Sequence, residues 1–228
     1  MKFELKTKTN RKNAKQYYFL DGVEVPRVTE VISQVTGKEL LMWLSSKTPQ
    51  EIKTIRHQAL STGSTIHDML EKVLLGNFTE KMRETPFGDV LEAYDKWIKE
   101  YNVKPIKTEE YVYDRVGEHG YAGRTDAIVK IGKKVVLIDY KTSTSEGVYA
   151  NYWIQLAAYA NGFFTASGGI QVDEVWILVI EKVANEEGEI VEYKLHPYKK
   201  TAKQLEPYFQ MFNCLLEYWY LNKKVSKK

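Results

Sequence analysis

A short apolar run that ends in two charged residues limits the possible folds of this sequence more than any other feature. Residues 134–141, KVVLIDYK, place four apolar side chains in succession, so a strand here is apolar on both faces, as is typical in the middle of a sheet. The dipeptide GK at 132–133 precedes it, and glycine in first place is typical of the type II′ turn of a β-hairpin. Counting outward from that turn sets Asp126 opposite Asp139.

The opposed pair predicts a metal site. Opposed residues of an antiparallel pair project to the same side with Cβ atoms ~4.5–5.5 Å apart, and Lys141, two residues beyond Asp139, projects there too. Two like charges this close conflict unless a cation compensates them, and Mg²⁺ prefers carboxylates together with water and phosphate oxygens. Lys141 could then orient a water molecule or stabilise developing negative charge. The alternative is a solvent-exposed pair with Lys141 as an ordinary ion-pair partner; the apolar run favours the metal site, because an unpartnered charge beside it is costly.

Composition excludes several classes of protein. Of the 228 residues, 43% are hydrophobic and 13% aromatic, which is too much apolar surface for a disordered chain. The apolar runs are far shorter than the ~18 residues that a membrane span requires. The single cysteine, Cys214, excludes an intramolecular disulfide and a four-cysteine iron–sulfur cluster, and we expect it to be a buried thiol in an apolar helix. We therefore predict a soluble, cytoplasmic protein without a membrane partner.

Charge is unevenly distributed along the chain. Residues 1–15 carry six Lys or Arg and one Glu, residues 223–228 carry four Lys, and the rest of the chain is net −6 within a total of +3. Two interpretations of the basic ends stay open: loose contact with phosphates, or solvated fraying ends, which are commoner. An acidic body that binds a polyanion needs metal cations or a local basic stripe.

The hydrophobic periodicity predicts an α/β (α+β) architecture, a mixed and mostly antiparallel central sheet flanked by helices. An N-terminal hairpin turns at Asp21–Gly22. Helices are predicted at 29–35, 39–46, 49–60, 65–75, 87–101, 148–165 and 203–221, and further strands at 110–113, 121–130, 134–141, 174–181 and 190–196. We expect one domain over 1–228, with a hairpin and helical cap at 1–61, a core at 62–200, and a C-terminal helix and basic tail at 201–228.

Four motifs occur in order between Thr62 and Tyr159: GSTIHDMLE at 63–71, GRTD at 123–126, VLIDYKTS at 136–143 and QLAAY at 155–159. This series resembles the G-x-x-x-H-x-x-x-E, G-x-x-D, hydrophobic-D-x-K-T and Q-x-x-x-Y motifs of RecB-like nucleases in the PD-(D/E)XK superfamily. It is similar to stand-alone members such as the mitochondrial genome maintenance exonuclease and phage exonucleases. Thr125 stands where the superfamily's nominal motif has proline.

The resemblance implies a restriction-endonuclease-like core and hydrolysis of DNA phosphodiester bonds with Mg²⁺ or Mn²⁺. The metal ligands that it implies are His67, Asp126, Asp139 and the Tyr140 carbonyl, with Glu71 as a further candidate. The catalytic residues that it implies are Asp126, Asp139, Lys141, Gln155 and Tyr159, and the nucleic-acid contacts that it implies are Arg124, Thr142, Ser143, Gln155 and Tyr159.

Each candidate also has a structural interpretation. His67 could be a satisfied helix histidine, and Glu71, four residues later on the same helix side, an exposed glutamate. Glu110 could reach the site, although Glu109 beside it shows that the segment tolerates solvated acids. Arg124 could contact phosphates or only balance charge. For Gln155 and Tyr159 the alternative is packing alone, without a contact to the substrate.

The sequence thus predicts a metal-dependent DNA exonuclease that acts on single strands or duplex ends in recombination, repair or replication, with phage origin as an option. A structure-specific or restriction-type endonuclease and a non-catalytic DNA-binding module with a degenerate site are the alternatives. The sequence has no phosphate-binding loop and hence no attached helicase motor. Two further expectations stay open: assembly into a homo-oligomer, and binding to a partner protein of replication or recombination.

Overall fold

The computed structural model describes residues 3–10, 15–35 and 38–226. Its strands are β1 Leu5–Thr9, β2 Gln16–Leu20, β3 Val23–Val25, β4 Lys104–Thr108, β5 Tyr111–Val116, β6 His119–Arg124, β7 Ala127–Ile131, β8 Lys134–Ser143, β9 Glu174–Ala184 and β10 Ile190–Thr201. Its helices are α1 Val28–Ile32, α2 Lys38–Ser45, α3 Pro49–Leu74, α4 Glu80–Arg83, α5 Gly88–Glu100, α6 Ala150–Ala166 and α7 Ala202–Val225.

A five-stranded sheet in the order β10-β9-β8-β7-β4 forms the centre of the molecule. Its pairs are antiparallel except β8 with β9, which run parallel and are joined through α6. The expected mixed, mostly antiparallel sheet flanked by helices is confirmed, and β8 is its central strand, as the doubly apolar run predicts. Smaller sheets, β1-β2-β3 and β5-β6, lie beside it.

The central hairpin has the register that the sequence predicts. Ile131 pairs with Lys134 and Ala127 with Ile138, and Gly132 has a φ of 60°, as the first central residue of a type II′ turn requires. Continuing that register places Asp126 level with Asp139.

Two apolar clusters cover the two faces of the sheet. On one face Ile128 and Leu137 pack with α6 and α7, and on the other Ala127 and Ile138 pack with α3 and α5. Because side chains alternate along a strand, Asp139 and Lys141 belong to the α6 face with Leu137. The site therefore forms where this face reaches the end of the apolar core.

The helices predicted at 49–60 and 65–75 are a single helix, α3. Thr48 caps its N-terminus in a capping box with Glu51, as a start at Pro49 requires. The polar run 61–64 looks like a cap in the sequence but lies in the helix interior, where the hydroxyl of Thr65 donates to the carbonyl of Ser61. Serine and threonine are compatible with both positions, so the pattern alone misplaced the boundary.

Parts of both basic ends are ordered, which corrects their interpretation as fraying ends. Leu5–Thr9 forms β1 and pairs with β2, and Lys223 lies in the last turns of α7. Residues 1–2, 11–14 and 227–228 lie outside the described residues. Cys214 is exposed on α7, so the expectation of a buried thiol is wrong. Across the described ranges, no helix combines the length and apolar character needed to cross a membrane.

Candidate active site

A bend in two neighbouring strands positions Asp126. The chain leaves β6 and enters β7 at this residue, so the continuous strand predicted at 121–130 is wrong. The N–H of Glu109 donates to the carbonyl of Asp126 over 3.0 Å, and the N–H of Thr125 donates to the carbonyl of Glu110 over 2.9 Å. Glu109 adopts a left-handed conformation, with a φ of 52°, which is uncommon for a residue other than glycine. Both strands thus change sheets at one point, and Asp126 lies at that point.

Asp126 links the strands to helix α3. Its Oδ2 accepts a 2.7 Å hydrogen bond from the backbone N–H of Tyr140, and its Oδ1 lies 3.5 Å from Nδ1 of His67. The His67 ring also meets the Tyr140 ring edge-on at 5.5 Å. Burial lowers the pKa of His67, but the hydrogen bond and charge of Asp126 outweigh it, so the pKa is raised above its ordinary value. The structure therefore brings His67 and Asp126 together.

A second group of polar side chains surrounds Asp139. Its Oδ2 lies 2.6 Å from Nζ of Lys141, and its Oδ1 accepts a 3.3 Å hydrogen bond from Nε2 of Gln155. Gln155 in turn accepts from Lys141 through Oε1 at 3.1 Å and donates to the hydroxyl of Tyr159 at 3.0 Å. Strand β8 and helix α6 thus supply a connected network of four side chains.

Charges in this network influence one another strongly. Burial raises the pKa of Asp139 to about 6, with the like charge of Asp126 acting in the same direction and Lys141 opposing it. Burial lowers the pKa of Lys141, but the charges of Asp139 and Asp126 outweigh it and raise the pKa. Lys141 is therefore an ammonium group at neutral pH, and the two carboxylates are close enough to affect each other.

Glu109 is the acidic neighbour that sequence reasoning missed. Its carboxylate lies 2.7 Å from Arg124, and burial raises its pKa, with the charges of Asp126 and Glu71 adding to the effect. Glu110, which the sequence named as an acid that could reach the site, has its carboxylate 3.9 Å from Lys107. Glu109 lies between β4 and β5 in a left-handed conformation, and a residue other than glycine gives no signal of that conformation in the sequence.

The remaining predicted residues lie around the network in different positions. Arg124 is engaged by Glu109, and Glu71 is half-buried one helical turn after His67. Ser143 accepts a hydrogen bond from the N–H of Ser145 at the end of β8, on the face that carries Lys141. Thr142 belongs to the opposite face by the same alternation, so the structure does not bring it to the network.

Gly123 couples two of the sequence motifs. A Cβ atom at this position would lie 2.5 Å from Cε1 of Tyr159, closer than any van der Waals contact allows. Glycine in G-R-T-D therefore leaves the space that the tyrosine of Q-L-A-A-Y occupies. The hydroxyl of Tyr159 then reaches Gln155, so strand β6 contributes to the position of the network.

The donor set of the site fits a hard cation in part. Within 3–10, 15–35 and 38–226, no three His, Cys, Asp or Glu side chains form a group that could hold a metal ion. The neighbouring carboxylates of Asp126 and Asp139 are nevertheless the oxygen ligands that Mg²⁺ and Mn²⁺ prefer. Oδ2 of Asp139 is buried without a well-oriented hydrogen bond among the described residues, although Nζ of Lys141 is 2.6 Å away. Two carboxylates fit Mg²⁺, which usually keeps several water ligands.

Comparison with known proteins gives only distant similarities. No family model matches the sequence, and no curated protein matches it. The solved structure of SSO0001 is 19% identical with a TM-score of 0.32, covering 56% of this chain and 58% of that one. A candidate exonuclease from Eubacterium rectale is 16% identical with a TM-score of 0.44, covering 68% and 63%.

A third similar structure is that of the alkaline exonuclease LHK-Exo from Laribacter hongkongensis in complex with dAMP. It is 14% identical with a TM-score of 0.31, and the match covers 70% of this chain and 92% of that one. The chain spans less than two thirds of the length of SSO0001 and of the E. rectale protein. At these TM-scores the function has to be inferred from the site itself.

Proposed function

We propose that this chain is a metal-dependent nuclease that hydrolyses DNA phosphodiester bonds, acting as an exonuclease on single strands or duplex ends. The observation that carries the proposal is the group formed by Asp126, Asp139 and Lys141, where the chain passes from β6 to β7 beside β8. Asp139 is buried, and Asp126 and Lys141 are half-buried beside it. Removing such charges from water costs stability, so their presence in one place favours a chemical role.

Lys141 is suited to stabilise negative charge. Its ammonium group lies 2.6 Å from Asp139 and 3.1 Å from the Gln155 oxygen, so its direction is fixed before a substrate arrives. A preorganised cation in a largely buried site stabilises the charge that develops on a phosphate without further reorganisation. It could also orient the attacking water.

Asp126 and Asp139 would hold Mg²⁺ or Mn²⁺, which would lower the pKa of a bound water molecule and neutralise the scissile phosphate. The Tyr140 carbonyl, His67 and Glu71 stay predicted as further ligands. Tyr140 has a structural role as well, since its N–H donates to Asp126 and its hydroxyl shares a 2.6 Å hydrogen bond with the buried Tyr94. That anchoring fixes the peptide between Asp139 and Lys141.

The decisive experiment is a time course on end-labelled single- and double-stranded DNA with Mg²⁺, with Mn²⁺ and with a chelator. We expect cleavage with either metal, none with the chelator, and a loss of about a thousand-fold or more in Lys141→Ala and Asp139→Asn, because each change removes charge stabilisation at the reacting phosphate. Lys130→Ala is the matched control, an exposed lysine of neighbouring β7, and should cleave like the wild type. A wild-type chain that cleaves nothing with either metal would leave only the DNA-binding module.

Covalently closed single-stranded circles separate the two modes of cleavage. An exonuclease requires an end, so the circle should persist under conditions that digest the linear strand. Conversion of circles to linear fragments by the wild type, absent from Lys141→Ala, would instead show the endonuclease alternative. Recombination, repair or replication is the setting we propose for this activity.

A further inference from the structure

A pocket away from the carboxylates brings the two basic ends of the chain together. It encloses about 260 Å³ between β2, β3, the start of α1 and the last turns of α7. Lys15 comes from the N-terminal segment and Lys223 from the C-terminal one, and Arg27 lies between them with the aromatic rings of Tyr17 and Trp219. We call these five residues the basic pocket.

Its cations are held in place by their neighbours. Nζ of Lys223 lies 4.6 Å above the Trp219 ring, and Nζ of Lys15 lies 5.1 Å above the Tyr17 ring. Nε of Arg27 is buried without a hydrogen-bond partner among the described residues, and the carboxylate of Glu30 is 3.9 Å away. The Arg27 side chain as a whole is 39% exposed, so a phosphate oxygen in the pocket can reach the guanidinium group and form a charge-assisted hydrogen bond with it.

Strand β6 connects the basic pocket with the candidate active site. Arg27 forms a backbone bridge with Ala122 of β6, four residues before Asp126, which corresponds to ~13 Å along a strand. Arg27 and Arg124 both act to lower the pKa of Tyr18, which its burial raises, so both guanidinium groups lie near that hydroxyl. Arg27 beside β6 and Arg124 at its end thus form a line of two cations from the basic pocket towards the site, on a body that is otherwise acidic.

We propose that the basic pocket binds one nucleotide of the same DNA strand whose scissile phosphate lies at the carboxylates, with its phosphate on Arg27 and Lys223 and its base against Trp219. This inference rests on the proposed function and adds a second contact point for the substrate. The volume is just below the ~300–1,000 Å³ usual for small-molecule sites, so the pocket has room for no more than one nucleotide. Glu24 and Glu30 also line it, which leaves a net charge of +1, enough for one phosphate.

The test compares a short and a long strand on the Asp139→Asn chain, in which we expect almost no cleavage. Binding of fluorescein-labelled thymidine oligonucleotides, a trinucleotide and one of about a dozen nucleotides, is measured by anisotropy. We expect Arg27→Gln and Trp219→Ala each to weaken binding of the long strand about ten-fold, as loss of one stacked or phosphate contact does, and to leave the trinucleotide unchanged. Trp219→Phe, which keeps a ring, should retain most of the affinity.

Lys199→Ala is the matched control for Lys223→Ala. Lys199 lies on the edge strand β10, and its Nζ is 5.0 Å above the Trp176 ring. Both changes therefore remove one lysine and one ring contact. Only Lys223→Ala should weaken the long strand. The proposal would be overturned if both lysine variants lost affinity equally, if the short and the long strand lost affinity equally, or if Arg27→Gln lost none.

The outcomes separate this inference from the proposed function. If the pocket variants lose affinity only for the long strand but the wild-type chain cleaves no DNA, the basic pocket is retained and the nuclease is rejected. Metal-dependent cleavage with unchanged long-strand binding in Arg27→Gln would retain the nuclease and reject the pocket. Thermal melting of each variant shows whether Trp219→Ala has lost its fold, in which case Arg27→Gln and Lys223→Ala decide.

Discussion

Gln155 joins three polar side chains through a single amide group. Its oxygen accepts from Lys141, and its nitrogen donates to Asp139 and to the hydroxyl of Tyr159. Because an amide has one accepting and one donating end, this pattern fixes its orientation. Lys141 and Asp139 are therefore aligned by a residue that need not touch the substrate, and we propose that Gln155 is a positioning residue.

Replacing this amide by an apolar group of similar size should lower the rate and leave the fold intact. In Gln155→Leu we expect kcat for cleavage of end-labelled DNA to fall about a hundred-fold, since misplacement of a catalytic group by ~1 Å costs that much. Tyr159→Phe removes one hydrogen bond and should cost less than about ten-fold. Asn161→Leu changes another half-buried amide of α6, one bonded to the Ala157 carbonyl, and should cleave normally. Equal rates in Gln155→Leu and wild type would contradict the role.

At this scale, motif spacing could place the network but not its surroundings. The turn at Gly132 and the period of α6 suffice to bring Asp139, Lys141 and Gln155 together. Glu109 could not be predicted, because its approach depends on its own left-handed conformation between β4 and β5. The pairing of Lys15 and Lys223 in one pocket depends on long-range packing, which leaves no local pattern.

Elements were predictable where their hydrophobic period is strong and a turn residue is specific. The hairpin at Gly132 meets both conditions and agrees with the sequence. Helix α6 agrees with its predicted bounds to within two residues, although it is apolar over most of its surface. Strand β4 was missed because Pro105 lies inside it, and proline is tolerated there since β4 is an edge strand. The polar run 61–64 has the composition of a helix cap but lies inside α3, where tertiary packing of the later half overrides it.

Close packing of β6 on α6 makes Gly123→Ala a sensitive change. The added methyl would overlap the Tyr159 ring, and overpacking costs about 1–3 kcal/mol in the free energy of unfolding. We expect a lower melting temperature together with reduced cleavage, measured by denaturant unfolding and initial rates. Gly147→Ala, where the new Cβ would only approach Ser145 at 3.7 Å, should be nearly neutral. Adding Tyr159→Ala should recover part of the loss, and strictly additive losses in the double-mutant cycle would contradict the overlap.

The parallel pairing of β8 with β9 contains a pH-dependent contact. Burial acts to raise the pKa of Glu174, but the ion pair with Lys134 and the 3.1 Å hydrogen bond from the Trp176 indole outweigh it and lower the pKa. A depressed folded-state pKa stabilises the fold above the unfolded carboxylate pKa of ~4.3, and the stabilisation is lost as the pH falls through the folded-state pKa.

Glu174→Gln should therefore lower the free energy of unfolding by about 1 kcal/mol at neutral pH and by much less in acid. Urea unfolding at neutral pH and below the folded-state pKa measures the difference. Glu192→Gln provides the comparison, because Glu192 is an exposed carboxylate with a 3.4 Å ion pair to Lys194, two residues further along β10, and such pairs contribute little. A difference between wild type and Glu174→Gln that is the same at both pH values would rule out this contact as the cause.

For the whole molecule, charge distribution determines how a polyanion can approach. In the sequence the basic ends flank a body of net charge −6, and the basic pocket and Arg124 are local exceptions to that acidity. The carboxylates of Asp126 and Asp139 lie at the end of this basic line, where they repel a phosphate unless a cation compensates them. Divalent metal should therefore be required for tight binding of the strand as well as for its cleavage.

Asp126→Asn isolates this repulsion, because asparagine keeps an oxygen that can accept from the Tyr140 N–H and loses only the charge. In chelator, the variant should bind a thymidine oligonucleotide about three- to ten-fold more tightly than wild type, as ~1 kcal/mol of relieved repulsion gives. With Mg²⁺ the order should reverse, since wild type gains a compensating cation that the variant holds less well. Glu187→Gln removes the same charge from an exposed loop and should change neither affinity. If both variants tighten binding equally, net charge alone explains the effect, and the carboxylates do not face the strand.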